Sequence, residues 1–221
     1  MAGFGLFIPR GVTDQRLFRI GVLGSGAGSN FAAIADACAS GRIPARVAVV
    51  LSDVANAGIL DRARERSIAA VHIPPGKFRT KLEDEADAAY ARTLVENEVN
   101  LIALAGFMRV VKGRLLGAFE NRIVNIHPSL LPSFPGLEAW TQALNYGVKV
   151  TGCTVHFVDA GVDSGPIIGQ QTVPVLDDDT PQSLHQRIHK AEHELYPRCL
   201  AEIARGEIQV KGRTVVRVPQ A

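Results

Sequence analysis

Cysteine is scarce in this sequence, and the three cysteines form no recognisable motif. Cys38, Cys153 and Cys199 are odd in number, widely spaced and without a Cys-x-x-Cys pair. This pattern argues for a reducing compartment and against a zinc cluster. We therefore expect three buried thiols.

An excess of charge of one sign is also missing, as are long hydrophobic runs. The 24 basic and 22 acidic residues leave a formal net charge of +2, which gives no general attraction to nucleic acid. No apolar run approaches the roughly 20 residues that a membrane helix needs. Residues 1–17 lack the apolar centre of a secretory signal. These absences predict a cytoplasmic protein that binds neither nucleic acid nor membranes, with residues 1–17 as a flexible extension.

Residues 18–221 are long enough for one sizeable core, and 47% hydrophobic and 21% charged residues are typical of a soluble globule. Apolar, strand-like runs alternate with helical stretches in the first half. Strands are predicted at 18–23, 47–52, 70–73, 101–106 and 122–126, and helices at 31–38, 58–67 and 81–97. Such alternation is typical of right-handed βαβ units.

The pattern changes after residue 126. Residues 151–158 and 166–173 indicate an antiparallel hairpin, and 208–216 a small terminal one. Between them a helix begins with Thr180 as its N-cap and Pro181 in its first turn, and ends near Arg205. The sequence thus predicts a single α/β domain over residues 18–221. Its Rossmann-like sheet is mostly parallel, with helices on both faces and an antiparallel C-terminal extension.

Two polar residues stand at the end of the fifth apolar run. Asn125 and His127 are two positions apart on a predicted strand, so both side chains point to the same face. A carboxamide beside an imidazole can polarise a carbonyl oxygen and stabilise the negative charge that develops as a nucleophile adds. Acyl chemistry is one use of such a pair. The alternative is a histidine that is hydrogen-bonded for structural reasons.

A glycine-rich loop, residues 24–30, joins the first strand to the first helix. Its glycines allow a phosphate to approach the backbone at a helix N-terminus, and Ser29 and Asn30 add side-chain donors. The alternative is a tight turn without a ligand. An NAD site is disfavoured because Ser29 stands where the dinucleotide motif has its third glycine, although Asp53 after the second strand leaves room for one.

Acidic residues after the strand at 151–158 are candidate charge partners of His127. Asp159 and Asp163 lie in a glycine-rich link, where functional groups are common. A carboxylate close to His127 would raise the pKa of the imidazole and favour its charged form. The alternative for either aspartate is a solvated turn residue.

Other polar residues are weaker candidates. Arg109 follows the fourth strand at the edge where ligands bind in open α/β sheets. His156 lies within a predicted strand and is a candidate for supporting the site from behind. Glu192 is a candidate partner for a sugar hydroxyl, with a solvated helix face as the alternative. Three histidines repeat along the same helix, but no carboxylate or thiolate partner accompanies them and no metal is predicted: His185, His189 and His193.

These segments together resemble the folate-dependent phosphoribosylglycinamide formyltransferase family. The resemblance runs from Arg19 to about Gly206. It rests on Gly26-Ala-Gly-Ser-Asn30, Leu104-Ala-Gly-Phe-Met-Arg109, Asn125-Ile-His-Pro-Ser-Leu-Leu-Pro132, and Gly152-x-x-Val-His-Phe-Val158 leading to Asp163-x-Gly-Pro166. It implies a formyltransferase fold. It also implies transfer of the formyl group of 10-formyltetrahydrofolate to the amine of 5-phosphoribosylglycinamide, in purine biosynthesis and without a metal.

The resemblance also implies residue roles. The catalytic trio would be Asn125, His127 and Asp163, with Asp163 keeping His127 protonated. The ribotide site would comprise Gly28, Ser29, Asn30 and Glu192. The folate pocket would comprise Lys81, Met108, Arg109, Val110, Val111, Asn125, Asp159 and Asp163.

The sequence departs from the family pattern at one place. After Pro135-Gly-Leu137 some relatives carry a histidine-containing segment, whereas here Glu138-Ala-Trp-Thr141 follows, so Trp140 is expected to pack. Two alternatives stay open at this point. One is a 10-formyltetrahydrofolate hydrolase that uses the same trio with water as nucleophile, and the other is a nucleotide-binding module of the dehydrogenase type. A monomer or homodimer is expected.

Overall fold

A computed structural model describes residues 17–218, which form one nine-stranded mixed sheet with helices around it. The strands are β1 (Phe18–Leu23), β2 (Ala45–Ser52), β3 (Ala69–His72), β4 (Leu101–Leu104), β5 (Ile123–His127), β6 (Val150–Phe157), β7 (Ile167–Pro174), β8 (Ile208–Lys211) and β9 (Thr214–Arg217). The helices are α1 (Ser29–Ala39), α2 (Gly58–Glu65), α3 (Asp84–Glu96), α4 (Gly113–Ala118), α5 (Ala139–Tyr146) and α6 (Pro181–Ala204). The strands lie in the order β3-β2-β1-β4-β5-β6-β7-β9-β8.

The first five strands are parallel, and a helix crosses over between each consecutive pair. From β1 the chain adds β2 and β3 on one side of the sheet and then β4 and β5 on the other. Such a reversal leaves a crevice at the carboxyl ends of the two central strands, which is where open α/β sheets bind ligands. The glycine-rich loop follows β1 and residues 105–112 follow β4, so two predicted substrate segments border this crevice.

A hydrophobic core covers each face of the sheet, which explains why the parallel strands are almost wholly apolar. Neighbouring residues of one strand enter different cores: Val22 packs with α1, α2 and α6, whereas Leu23 packs with α3 and α4. The predicted helices on both faces are therefore confirmed.

The C-terminal third forms the predicted antiparallel extension. β6 is antiparallel to β5, and β7 to β6. The hairpin of β8 and β9 then joins the sheet through a short parallel pairing of β9 with β7. The start of α6 is as predicted, because Thr180 Oγ1 accepts the Ser183 N–H at 3.1 Å and Pro181 is the first helical residue.

Three sequence-based assignments need correction. The short helices α4 and α5 were not predicted, since α4 has six residues and α5 begins after Glu138, whose φ is 52°. The third helix begins at Asp84 rather than Lys81, because Lys81 instead forms an isolated parallel bridge with Val110. Cys38 is only half-buried, whereas Cys153 and Cys199 are buried as expected.

Two predictions concern the ends of the chain and membranes. Residues 1–16, which make up nearly all of the predicted flexible extension, lie outside the described residues. Residues 219–221 at the other end do so as well. From residue 17 to residue 218 no helix combines the length and the apolar character that a membrane crossing requires.

Candidate active site

Asn125 and His127 lie on β5, between the parallel strand β4 and the antiparallel strand β6. Register places Asn125 opposite His156 of β6, and Asn125 Nδ2 is 3.3 Å from His156 Nε2. Residues directly opposed in an antiparallel pair hold their side chains close on one face. The predicted shared face of Asn125 and His127 is confirmed, because His156 and His127 both lie beside the same carboxylate, Asp163.

Asp163 joins the two histidines from the link between β6 and β7, where its own φ is 50°. Its Oδ2 lies 3.3 Å from His127 Nδ1 and accepts the Gly136 N–H at 2.8 Å, and its Oδ1 lies 3.7 Å from His156 Nε2. Burial tends to raise the pKa of Asp163, but the hydrogen bonds from His156 and Gly136 and the charges of the two histidines outweigh it and lower the pKa. Asp163 is therefore ionised at neutral pH.

His127 is buried with an oxygen beside each ring nitrogen. Asp163 faces Nδ1, and the carbonyl oxygen of Phe134 lies 2.9 Å from Nε2. Only the protonated ring can donate to both. Burial nevertheless lowers the pKa of His127, and this effect exceeds the upward influence of Asp163 and Phe134. The expected contact is confirmed, and Asp163 raises the pKa of His127 as expected. The net pKa is nevertheless lowered, because burial of the charged ring has the larger effect.

A pocket opens beside Asn125. Its wall consists of apolar residues with a few polar groups, as ligand pockets commonly do: Leu104, Val110, Val111, Asn125, His156, Val158, Asp159, Gly161, Val162, Asp163 and Ser164. Five residues predicted to contact folate are therefore brought together here, namely Val110, Val111, Asn125, Asp159 and Asp163. Asp159 also shapes the loop, because its Oδ1 accepts the Gly161 N–H and the Ser164 hydroxyl.

The three other predicted folate residues lie beside this wall rather than in it. Met108 is exposed, and its N–H donates to Ser25 Oγ at 2.9 Å. Lys81 pairs with Val110 through its backbone, and its ammonium lies over the Phe78 ring, 4.3 Å from the centroid. Lys81 therefore neighbours the pocket without lining it.

Arg109 turns its guanidinium into the protein. Its Nε donates to Asp53 Oδ2 at 2.7 Å, and its Nη1 donates to the carbonyl oxygens of Phe78 and Arg79. The other oxygen of Asp53 accepts the Ser25 hydroxyl at 2.5 Å. Both oxygens of Asp53 are thus hydrogen-bonded within the protein. Asp53 is therefore not available to bind the ribose of a dinucleotide.

The glycine-rich loop ends at a helix without a side-chain cap. Gly28, at φ 79°, is the N-cap residue of α1, and a β-carbon there would lie 2.8 Å from the Ile59 backbone. Among residues 17–218 no side chain caps α1, and the first turn of α1 contains no acidic residue. The positive end of the helix dipole, with the N–H groups of the first turn, therefore faces the loop without a side-chain partner, which suits an anion.

Glu192 and Asn30 form a buried pair where α6 packs against α1. Asn30 Nδ2 donates to Glu192 Oε2 at 2.8 Å, and Glu192 is only 3% exposed. The alternative of a solvated helix face for Glu192 is therefore wrong. Burial raises the pKa of Glu192 to about 7, although the Asn30 hydrogen bond lowers it. Asn30 Oδ1 is buried without a hydrogen-bond partner among residues 17–218, so its capacity to accept a hydrogen bond is unused.

Glu192→Gln is expected to change how stability depends on pH. The pKa of Glu192 rises from 4.5 to about 7 on folding, so between these values the folded protein holds a proton that the unfolded chain has lost. The free energy of unfolding therefore falls as pH rises through this range, by on the order of 3 kcal/mol from this group. Urea unfolding at about pH 5 and about pH 8 measures the fall. Glu192→Gln should lose it and exposed Glu194→Gln should keep it. Equal pH dependence in all three proteins would refute the assignment.

Trp140 and the three histidines of α6 form a row of neighbouring rings, in which the planes of His185 and His189 are tilted by 49°. The ring centroids are 3.6 Å apart for Trp140 and His185, 4.1 Å for His185 and His189, and 6.1 Å for His189 and His193. Burial lowers the pKa of each histidine, that of His185 to about 4. Trp140 therefore packs, as expected. Within the described part of the chain, no group of three His, Cys, Asp or Glu residues is arranged to hold a metal ion.

Three residues of the site, Phe134, Gly136 and Ser25, were not singled out from the sequence, and Asp53 was considered there only for a dinucleotide ribose. Phe134 and Gly136 contribute only backbone groups, to His127 and Asp163 respectively, and no side-chain pattern marks such contacts. Ser25 and Asp53 connect the loops at the crevice. Both follow the carboxyl end of a predicted strand, and this position in the sequence could have marked them as residues of the site.

The fold and the site together define a class of protein. A network of Asn125, two histidines and Asp163, an apolar pocket and a helix terminus suited to an anion lie at the carboxyl edge of the parallel part of the sheet. This arrangement is typical of an α/β group-transfer enzyme. The family model described as formyl transferase matches residues 18–200. The chain belongs to the formyl transferase family.

Individual relatives match over most of this chain. Phosphoribosylglycinamide formyltransferase of Bacillus subtilis is 43% identical over 189 residues, which cover 84% of this chain and 94% of that protein. Trifunctional purine biosynthetic protein adenosine-3 of Drosophila melanogaster is 47% identical over 87% of this chain, but the match spans only 14% of that longer protein. The crystal structure of glycinamide ribonucleotide transformylase 1 from Symbiobacterium toebii superimposes with a TM-score of 0.88 at 53% identity, covering 92% of this chain and 95% of that one.

Proposed function

We propose that this protein transfers the formyl group of 10-formyltetrahydrofolate to the amine of 5-phosphoribosylglycinamide. The products are formylglycinamide ribotide and tetrahydrofolate, in purine biosynthesis. The names of relatives that match over nearly their whole length support this activity. The observation that carries it for this chain is the 3.3 Å contact of His127 with Asp163, beside Asn125.

The formyl donor binds in the pocket beside Asn125. Val110, Val111 and Val158 offer apolar contact to a flat ring, and the 159–164 loop supplies backbone polar groups for its edge. Asn125 stands in the wall of this pocket, so a formyl group entering it would meet a carboxamide donor.

The ribotide binds at the other side of the crevice. Its phosphate lies at the N-terminus of α1 with Gly28 and Ser29, and its ribose hydroxyls contact the Asn30 and Glu192 pair. Only β4 separates β1 from β5, so the ends of these two strands lie roughly 10 Å apart. A phosphate bound after β1 therefore lets the amine of the same molecule reach the formyl group beside β5.

The reaction begins when the amine nitrogen adds to the formyl carbon and the carbonyl electron pair moves onto oxygen. Asn125 donates a hydrogen bond to this oxyanion, and His127 supplies positive charge. The amine loses a proton, which Asp163 relays through water. The bond from carbon to N10 then breaks, the carbonyl re-forms, and N10 of tetrahydrofolate gains a proton.

Because the pKa of His127 is lowered, its positive charge is stabilised more strongly in the transition state than before the reaction begins. Before the oxyanion forms, burial disfavours imidazolium more than the charge of Asp163 favours it. A negative oxygen nearby raises the proton affinity of His127, so the favourable interaction grows as the oxyanion forms. Interactions that strengthen in the transition state are those that increase kcat.

The test of this function is the rate of tetrahydrofolate formation from 10-formyltetrahydrofolate, with and without the ribotide. We expect formation only when the ribotide is present, with one formylated ribotide for each tetrahydrofolate. Glycinamide riboside, which lacks the phosphate, should react with a much higher KM because it leaves the α1 terminus unused. Tetrahydrofolate and formate produced at the same rate in the absence of ribotide would instead indicate the hydrolase.

The hydrolase alternative is less well supported by the structure, because it leaves the α1 terminus and the Asn30 and Glu192 pair without a ligand. We propose that the enzyme is cytoplasmic and has no nucleic-acid partner. We also propose that it is a monomer or a homodimer. The three free cysteines of residues 17–218 support a reducing compartment.

A further inference from the structure

We infer that Asp53 is a positioning residue that couples the binding of the two substrates. This inference rests on the proposed function, because it assigns the two sides of the crevice to the ribotide and the folate. Its physical basis is one buried carboxylate whose two oxygens hold two different substrate loops.

One oxygen holds the ribotide side. Asp53 Oδ1 accepts the hydroxyl of Ser25 at 2.5 Å, and Ser25 lies in the glycine-rich loop three residues before Gly28. The Asp53 side chain is 1% exposed, so water does not compete for this bond. The position of the loop therefore depends on the position of the carboxylate.

The other oxygen holds the folate side. Asp53 Oδ2 accepts Arg109 Nε at 2.7 Å, and Arg109 directly precedes the two valines of the pocket wall. Arg109 also donates to the carbonyl oxygens of Phe78 and Arg79, so the segment that carries Lys81 is held by the same side chain. The Arg109 contact thus orders both segments next to the pocket.

The two loops also touch each other directly. Ser25 Oγ, while donating to Asp53, accepts the Met108 N–H at 2.9 Å, and the Ser25 N–H donates to the Gly106 carbonyl at 3.0 Å. A ligand that fixes either loop therefore removes conformational freedom from the other. A second ligand then loses less entropy on binding, which gives positive coupling.

A matched control exists elsewhere in the chain. The Asp179 side chain is also only 2% exposed and also accepts from an arginine and a serine, since Arg187 donates to both of its oxygens at 2.8 Å and Ser183 Oγ donates at 2.7 Å. It lies before α6 and holds no residue of the crevice. Asp179→Asn should therefore cost stability as Asp53→Asn does, without changing substrate coupling.

The experiment measures the affinity of tetrahydrofolate by calorimetry, with and without saturating 5-phosphoribosylglycinamide. These two compounds do not react with each other, so binding is observed alone. In the unaltered protein and in Asp179→Asn, the ribotide should tighten tetrahydrofolate binding by about fivefold or more, the lower end of typical couplings. In Asp53→Asn the factor should fall towards one, because only the direct contacts of Ser25 with Gly106 and Met108 still join the loops. Ser25→Ala, a smaller change, should lower it as well, and the double variant should be no worse than Asp53→Asn.

The kinetic readout separates coupling from general damage. Asp53→Asn should raise KM for both substrates while kcat at saturation changes much less, whereas simple unfolding would lower the active fraction and leave KM unaltered. Full coupling in both Asp53→Asn and Ser25→Ala would overturn the inference and leave the proposed function intact. Absence of coupling in the unaltered protein would also overturn the inference and leave the proposed function intact. Failure of the unaltered protein to bind the ribotide would overturn the proposed function and, with it, the inference.

Discussion

Asn125→Ala and His127→Ala are each expected to reduce kcat by about 100- to 1,000-fold, because the loss of one oxyanion donor typically raises the barrier by about 2.7–4 kcal/mol. Asn125 stands in the pocket wall and His127 is buried against Asp163. Both therefore act where the negative charge of the tetrahedral intermediate develops. Since that charge is absent from the bound substrates, KM should change much less than kcat.

Matched variants separate this effect from damage to the fold. Asn145 is exposed on α5 and His72 is exposed at the end of β3, so Asn145→Ala and His72→Ala should retain full activity. Circular dichroism and thermal unfolding verify that the site variants are folded. Turnover near that of the unaltered protein in folded Asn125→Ala and His127→Ala would refute the assigned roles.

Asp163→Asn is expected to lower kcat by about 100- to 10,000-fold, the range over which proton-transfer groups contribute. The variant keeps the shape of the side chain and an oxygen that can accept from Gly136, but it removes the negative charge beside His127. Proton relay is lost, and so is the upward influence of Asp163 on the pKa of His127.

The sign of the pH effect follows from this change in charge. Burial already lowers the pKa of His127, and without Asp163 the pKa falls further, so imidazolium disappears at a lower pH. Residual activity of Asp163→Asn should therefore decline with rising pH earlier than that of the unaltered protein. The pH profile of kcat/KM measures the shift, with the exposed Asp177→Asn as control. An unchanged rate and profile in Asp163→Asn would contradict the coupling of Asp163 to His127.

Most strands and the position of the site were predictable from the sequence, because apolar runs, glycines and helix caps act locally. β1 and its glycine-rich loop are examples, as is Thr180 at the start of α6. Alternation of strands and helices predicts a parallel sheet, and such sheets bind ligands at the carboxyl edge. Asn125 and His127 could therefore be placed at that edge before their neighbours were known.

Other features depend on contacts between distant segments. Glu192 is buried rather than solvated, and this could not be predicted, because only the packing of α6 on α1 shows which face of the helix is buried. The contact of the Arg109 guanidinium with Asp53, 56 residues away in the sequence, could not be predicted from local pattern. The net pKa of His127 could not be foreseen either, since it depends on how burial compares with the charge of Asp163.

The fate of the formyl carbon tests the central claim most directly. The protein, in excess over isotopically labelled 10-formyltetrahydrofolate, is mixed with 5-phosphoribosylglycinamide, and the products of a single turnover are separated. The proposed mechanism predicts that the label appears in formylglycinamide ribotide, and that Asn125→Ala and His127→Ala slow its appearance without diverting it. Label recovered as formate, at a rate independent of the ribotide, would contradict transfer to the amine.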